Sequence, residues 1–209
     1  VMQSAGGLIS PAIVKEEPIR IVESGPAAGV LMAGIIGAEA GLEHVISFDM
    51  GGTTAKLGAV DGGNPAVSPT FEVDPIRYRA GSGLPINVPA VELLEIGAGG
   101  GSIARVDLGV IQVGPDSAGA DPGPICYGRG GDLATVTDAN LVLGYLNPDF
   151  FNAGAMSLDL ESARAGISRD VAEPLGLSIE EAAWGVHVVA NANMERAMRI
   201  VSVERGRDP

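Results

Sequence analysis

Short apolar runs punctuated by glycine, flanked by longer helical patterns, set the plan of this chain. Val45 to Phe48 reads as a buried strand. After Gly51-Gly52-Thr53-Thr54, Ala55 to Val60 reads as the return strand of a hairpin. Upstream, Ile19 to Glu23 predicts a strand and Ala27 to about Ala40 a helix. Ser24-Gly25-Pro26 supplies that helix's cap and first turn, and Gly41 its stop. Strand, helix and strand predict a β-α-β unit and an α/β architecture. Ala28, Gly29, Ala33, Gly34 and Gly37 suit close packing of the helix on a sheet. The window Pro26 to Leu42 is the most apolar, but it is short and carries Glu39, which predicts a buried helix and not a membrane span.

Asp61 to Pro69 contains a Gly62-Gly63-Asn64-Pro65 turn. Val67 to Arg79 alternates as extended chain, with Arg77 and Arg79 on one face. Ala80 to Pro89 predicts a loop, Val91 to Ile96 a strand, and Ile103 to Val113 a pair of strands. Gly114 to Gly131 predicts a long irregular loop, a kind of segment that is usually functional. Asp138 is the expected cap of a short helix from Ala139 to Leu146. Leu146 to Met156 reads as a linker. Asp159 caps a helix through Glu173, ended by Pro174 and Gly176. Ser178 and Glu181 form a capping box that opens a long helix to about Arg205, apolar on more than one side. Three parts follow, at about 1–68, 69–147 and 148–209.

Composition narrows the class. Apolar residues make up 46% and aromatics only 4%, so small side chains do the packing. The 31 glycines are clustered without a period, which excludes collagen and points to shaped loops. A net charge of −13 argues against a nucleic-acid backbone or an anionic membrane as partner. The single cysteine, Cys126, makes a reducing, cytoplasmic compartment the expectation. The first residues lack a signal peptide's basic and apolar regions. The end on Arg207-Asp208-Pro209, just after a long helix, suggests part of a larger protein.

The candidate chemistry centres on Asp49-Met50-Gly51-Gly52-Thr53-Thr54. An aspartate at a strand end can hold hydrated Mg²⁺, which keeps several of its waters. Paired glycines let backbone N–H groups approach a phosphate, and the threonine hydroxyls add hydrogen bonds. A P-loop would need G-x-x-x-x-G-K-[ST], which is absent. Gly97-Ala98-Gly99-Gly100-Gly101-Ser102 lacks both the spacing and the following helix of a dinucleotide site. Its glycines fit backbone brought against a ligand and equally a tight corner between strands. Asp116 and Asp121 are candidates to meet a metal or act as a base, or else to make Asx turns. Asp138 is a candidate if it faces the cleft. Cys126, with no activating neighbour in the sequence, and His44 and His187, with no evident ligand partner, read as structural.

Together these stretches resemble the hydantoinase A/oxoprolinase family. The carriers are SGPAAGV at 24–30, FDMGGTTAK at 48–56, EIGAGGGSIARVD at 95–107, VGPDSAGADPGPICYGRGG at 113–131, TVTDANLVLG at 135–144 and the terminal VSVERGRDP. The resemblance implies a ribonuclease-H-like lobe of an actin/hexokinase/Hsp70-type ATPase with a glycine-rich β region. It implies ATP and Mg²⁺ as cofactors, with Asp49 holding the metal through water. Gly51, Gly52, Thr53 and Thr54 would hold phosphate, joined by Lys56 and by Gly99, Gly100 and Gly101. Asp121 and Asp138 are the candidate catalytic carboxylates. Many relatives carry an aspartate shortly after the threonines where this chain has Ala55-Lys56, and a lysine there would either contact phosphate instead or mark a subgroup. The implied activity is ATP-dependent opening of a cyclic amide, a hydantoin or 5-oxoproline type. An ATP-binding subunit of a ketone carboxylase and a non-catalytic ATP-binding or assembly module are the alternatives. A hydantoinase B-like subunit or domain is the implied partner. The first phosphate motif falls outside the chain, so residues 1–209 alone are expected to be inactive.

Overall fold

A computed structural model describes residues 1–73 and 81–207. The expected arginine pair, Arg77 and Arg79, lies outside the described residues. The chain divides into two compact units, each a mixture of helix and strand. One comprises Val1–Asp49, Lys56–Glu95 and Ala197–Pro209, the other Met50–Ala55 and Ile96–Arg196. Among the described residues, no helix is long and apolar enough to cross a membrane.

The first unit opens with helix α1 (Pro11–Glu16), capped by Ser10, whose hydroxyl oxygen accepts from the Ile13 N–H. The expected strand at Ile19 to Glu23 is instead a 3₁₀ turn over Pro18–Ile21. Buried Ser4 donates its hydroxyl toward the carbonyls of Arg20 and Val22. A side chain thus meets acceptors that a strand would offer to a neighbour, and the predicted β-α-β unit is not formed. Helix α2 (Ser24–Glu39) follows Glu23, which sits at φ 57° without a side-chain cap; Ser24 is the first helical residue and not the cap.

Strands β1 (His44–Met50), β2 (Ala55–Asp61) and β3 (Asn64–Pro65) lie in that order, and β8 (Leu94–Ile96) also pairs with β2. The predicted hairpin is present. Its buried member is β2, through Ala55, Leu57, Ala59 and Val60, whereas β1 ends the row and stays half-exposed. Ala27 and Val30 of α2 cluster with Val60 and Val91. A methyl group at Gly37 or Gly58 would collide with Val45 or Val30, so small residues are what allow helix and sheet to approach. Met32, Ile35 and Ile36 remain exposed, and α2 is therefore buried on one side only. Short strands β4 (Val67–Ser68) and β5 (Phe71–Val73) pair with β7 (Ala90–Val91) and β6 (Leu84–Ile86). β6 falls inside the stretch expected to be loop. The expected 91–96 strand is interrupted at Glu92, whose N–H donates to Ala66 O and whose carboxylate pairs with Arg205.

In the second unit, β9 (Ser102–Asp107) and β10 (Val110–Ser117) form the expected antiparallel pair. β10 runs to Ser117, so the irregular loop begins later than predicted. Helix α3 (Val136–Val142) starts earlier than expected and is capped by Thr135, with Asp138 as the capping-box partner and not the cap. Helix α4 (Leu160–Ile167), capped by Asp159, continues through a π-helical stretch, Ser168–Ala172, into α5 (Glu173–Leu175) and left-handed Gly176. Helix α6 (Ile179–Val201) opens on the predicted box: Ser178 N–H donates to Glu181 Oε2 at 2.9 Å, and Glu181 N–H to Ser178 Oγ at 3.3 Å. The helix ends at Val201, before Arg205, and a 3₁₀ turn over Val203–Arg205 follows. Ala182, Ala183, Val186 and Ala190 pack with Ala104, Val136, Ile167 and Val171. Trp184 and Val188 stay about half-exposed, so α6 is not buried all round.

Candidate functional site

The Gly51–Thr54 turn belongs to the second unit, where it is seated on the Gly97–Ser102 stretch. Gly100 N–H donates to Gly51 O at 3.0 Å, and Gly101 N–H donates to Gly52 O at 2.6 Å. Gly51 N–H closes the turn on Thr54 O at 2.9 Å. In a trans peptide the C=O and the following N–H point in opposite directions. Fixing the carbonyls of Gly51 and Gly52 therefore turns the amides of Gly52 and Thr53 away from the seat. Neither amide donates to a protein acceptor among the described residues, and both residues are exposed.

Among the described residues nothing requires glycine at position 52. Its φ is not positive, and an added Cβ would meet nothing within 4 Å. The glycines of the seat are different. A Cβ on Gly99 would come within 2.7 Å of Gly51 O and Gly52 C, and one on Gly100 within 2.8 Å of Thr137 Oγ1. All three seat amides are occupied, Gly99 N–H by buried Ser102 Oγ at 2.9 Å. Gly99, Gly100 and Gly101 thus allow two stretches of backbone to come together.

The other expected site residues fall in contrasting places. Asp49 is exposed at the end of β1 and makes no ion pair among the described residues. Lys56 is largely buried and held by Glu23, with Glu95 at 3.7 Å, so its charge is already matched by two carboxylates. Asp121 is exposed, whereas Asp138 is wholly buried. The two carboxylates occupy opposite environments. Asp138 accepts four hydrogen bonds, from Thr135 N–H (2.9 Å), Thr135 Oγ1 (2.7 Å), Cys126 N–H (2.8 Å) and Ile125 N–H (3.3 Å). It ties the 3₁₀ turn at Ile125–Tyr127 to the start of α3. Asp116 pairs with Arg105 at 3.1 Å. Cys126 is buried, and burial together with the Asp138 carboxylate pushes its thiol far above the usual range, which excludes a nucleophilic thiolate at neutral pH. His44 contacts Asp61, and His187 lies between Asn140 and Asn191, so both have structural partners.

Thr137 and Ser102 are the residues that sequence reasoning passed over. The Thr135-x-x-Asp138 spacing is a capping-box signature that was available to find the start of α3. Among the described residues no group of three or more His, Cys, Asp or Glu is arranged to hold a metal. Asp49, next before Met50 in the sequence, is a carboxylate of the kind that suits Mg²⁺ held through its own waters. The turned-out amides and the open space at Gly52 suit a phosphate.

A mixed α/β chain with such a glycine turn defines a class. The hydantoinase/oxoprolinase pattern matches residues 1–209, and the chain belongs to that family. It is 43% identical to the caprolactamase subunit alpha of Pseudomonas jessenii over 208 residues, 99% of this chain and 29% of that protein. The crystal structure of the ATP-dependent caprolactamase from that organism superposes with a TM-score of 0.79 at 41% identity, covering 100% of this chain and 29% of that one. A nucleotide-free structure of acetone carboxylase, an enzyme of ATP-dependent acetone carboxylation, gives a TM-score of 0.84 at 33% identity, covering 100% and 28%. The chain spans less than a third of the length of these relatives.

Proposed function

We propose that residues 1–209 supply the phosphate-holding turn of an ATP-dependent enzyme that opens a cyclic amide. The observation that carries this is the pair of amides at Gly52 and Thr53, turned outward by the seating of Gly51 and Gly52 carbonyls. Outward amides on successive residues form a concavity suited to anions. The hydroxyls of Thr53 and Thr54 add donors, and Asp49 holds Mg²⁺ through water. ATP would transfer its γ-phosphoryl group to the amide oxygen and leave as ADP. Water would then add to the activated carbon, the C–N bond would break with the ring nitrogen leaving as an amine, and a second water would hydrolyse the resulting acyl phosphate to carboxylate and phosphate. Positioning and charge neutralisation account for most catalysis of such transfers. The turn's task is accordingly to hold phosphate still. In this reading the β1–β2 hairpin with α2 is part of a ribonuclease-H-like lobe, and a second subunit or domain of the hydantoinase B kind completes the enzyme.

The closer superposition on acetone carboxylase favours a second reading, in which the same turn serves a ketone carboxylase. ATP hydrolysis by the intact protein separates the two. Stimulation by lactams, hydantoins or 5-oxoproline is the expected result. Stimulation only by a ketone together with bicarbonate selects the carboxylase, and nucleotide binding with no turnover under either condition selects an assembly module.

A further inference from the structure

Thr137 stands behind the turn. It is 7% exposed and gives both of its donors to one acceptor: its N–H and its hydroxyl each reach Gly100 O at 2.8 Å. Gly100 in turn donates to Gly51 O, and the neighbouring Gly101 donates to Gly52 O. Gly100 O and the Gly101 N–H belong to one planar peptide, so the peptide between Gly52 and Thr53, which accepts from Gly101, is held by a residue far away in sequence. Thr137 is itself fixed, because Thr135 caps α3 and buried Asp138 locks that cap to Ile125 and Cys126. A methyl group on Gly100 would strike Thr137 Oγ1, which sets how close the two must lie.

We infer that Thr137 is a positioning residue for nucleotide binding: by holding the Gly100–Gly101 peptide it fixes the Gly52–Thr53 peptide and keeps the Thr53 amide presented to phosphate. The inference rests on the reading of the Gly51–Thr54 turn as a phosphate holder. Loss of the hydroxyl leaves Gly100 O with one donor, and the peptide plane behind it is free to rock. The amide then spends less time in the binding orientation, and the apparent affinity falls by that fraction.

The test uses the intact protein, with ATP affinity measured calorimetrically and thermal midpoints recorded alongside. Thr137→Val is expected to weaken ATP binding by about five- to tenfold, the range for one hydrogen bond. Thr137→Ser, which keeps the hydroxyl, is expected to bind within about twofold of the wild type. Thr137→Ala removes the same hydroxyl with less steric consequence and replaces the valine variant should that one fail to fold. Wild-type affinity in the hydroxyl-less variants, with Gly52→Ala still weakening ATP binding, overturns the inference and leaves the turn's role intact. Wild-type affinity in Gly52→Ala as well overturns both. A lowered thermal midpoint with unchanged ATP affinity also overturns it, since it would show a purely structural threonine.

Discussion

Two aspartate-led glycine pairs lie ten residues or so apart in this chain, and they do different work. Asp61-Gly62-Gly63 closes β2 onto β3 in a tight hairpin, with Asp61 facing Asn64. Both glycines have positive φ, 54° and 77°, where a side chain is strained. Asp61 is engaged by His44 and Arg207. Asp49-Met50-Gly51-Gly52 shares the composition and none of these constraints. Its glycines are not at positive φ, Gly52 has open space where a Cβ would go, and Asp49 has no ion pair among the described residues. The first pair is explained by the chain's own backbone. At Gly52 no atom among the described residues calls for glycine, and the proposed phosphate site is what would account for it.

The sharpest way to break the contrast is at the seat. Gly99→Ala drives a methyl group into the Gly51 and Gly52 backbone at 2.7 Å, where no flexible side chain can yield. The expected outcome is a loss of about 1–3 kcal/mol in the unfolding free energy, together with loss of measurable ATP binding by the intact protein. Chemical denaturation and calorimetry check the two arms. Next in size is a crossed pair. Gly52→Ala should change stability by less than about 1 kcal/mol, since its backbone suits alanine, yet weaken ATP binding at least about tenfold by filling the approach to phosphate. Gly63→Ala should do the reverse, lowering stability by about 1–2 kcal/mol for a side chain at positive φ with ATP affinity unchanged. If both variants lose stability and keep affinity, the two turns are of one kind.

What was legible in the sequence was whatever lies within a few residues. The β1–β2 hairpin, the paired strands β9 and β10, the Ser178 box and the Asp159 cap each rest on local spacing. The role of Gly99, Gly100 and Gly101 was not legible, because the atoms that forbid a side chain there belong to Gly51, Gly52 and Thr137. Ile19 to Glu23 has the composition of a strand, but Ser4 captures its carbonyls from a distance that no window spans. Asp138 illustrates a subtler failure. Its place before a helix was seen, but the cap was assigned to the wrong member of the Thr135–Asp138 pair, and a candidate base became a fully hydrogen-bonded core carboxylate. Nor does sequence order convey that residues 50–55 belong with 96–196.

The smallest expected effect concerns the aspartates. Partial burial pushes the Asp61 carboxyl upward, but hydrogen bonds from His44 and Arg207, and their charge, outweigh it and hold the group below its ordinary value of 3.8. A carboxylate lowered on folding stabilises the protein above its unfolded value, and that contribution is lost as pH falls through the folded one. The contribution should therefore be intact at neutral pH and disappear progressively below about pH 4. Asp61→Asn removes the titration and leaves an acceptor, so it should lower the thermal midpoint slightly at pH 7 and converge on the wild type near pH 3. Because Asp61 is well exposed, solvent screening keeps the difference small. ATP affinity at pH 7 should not change in this variant, since Asp61 is occupied within the fold, whereas Asp49→Asn should weaken Mg²⁺-dependent binding. An Asp61→Asn protein that lost ATP affinity would erase the distinction between the two glycine pairs at the one position where their sequences are most alike.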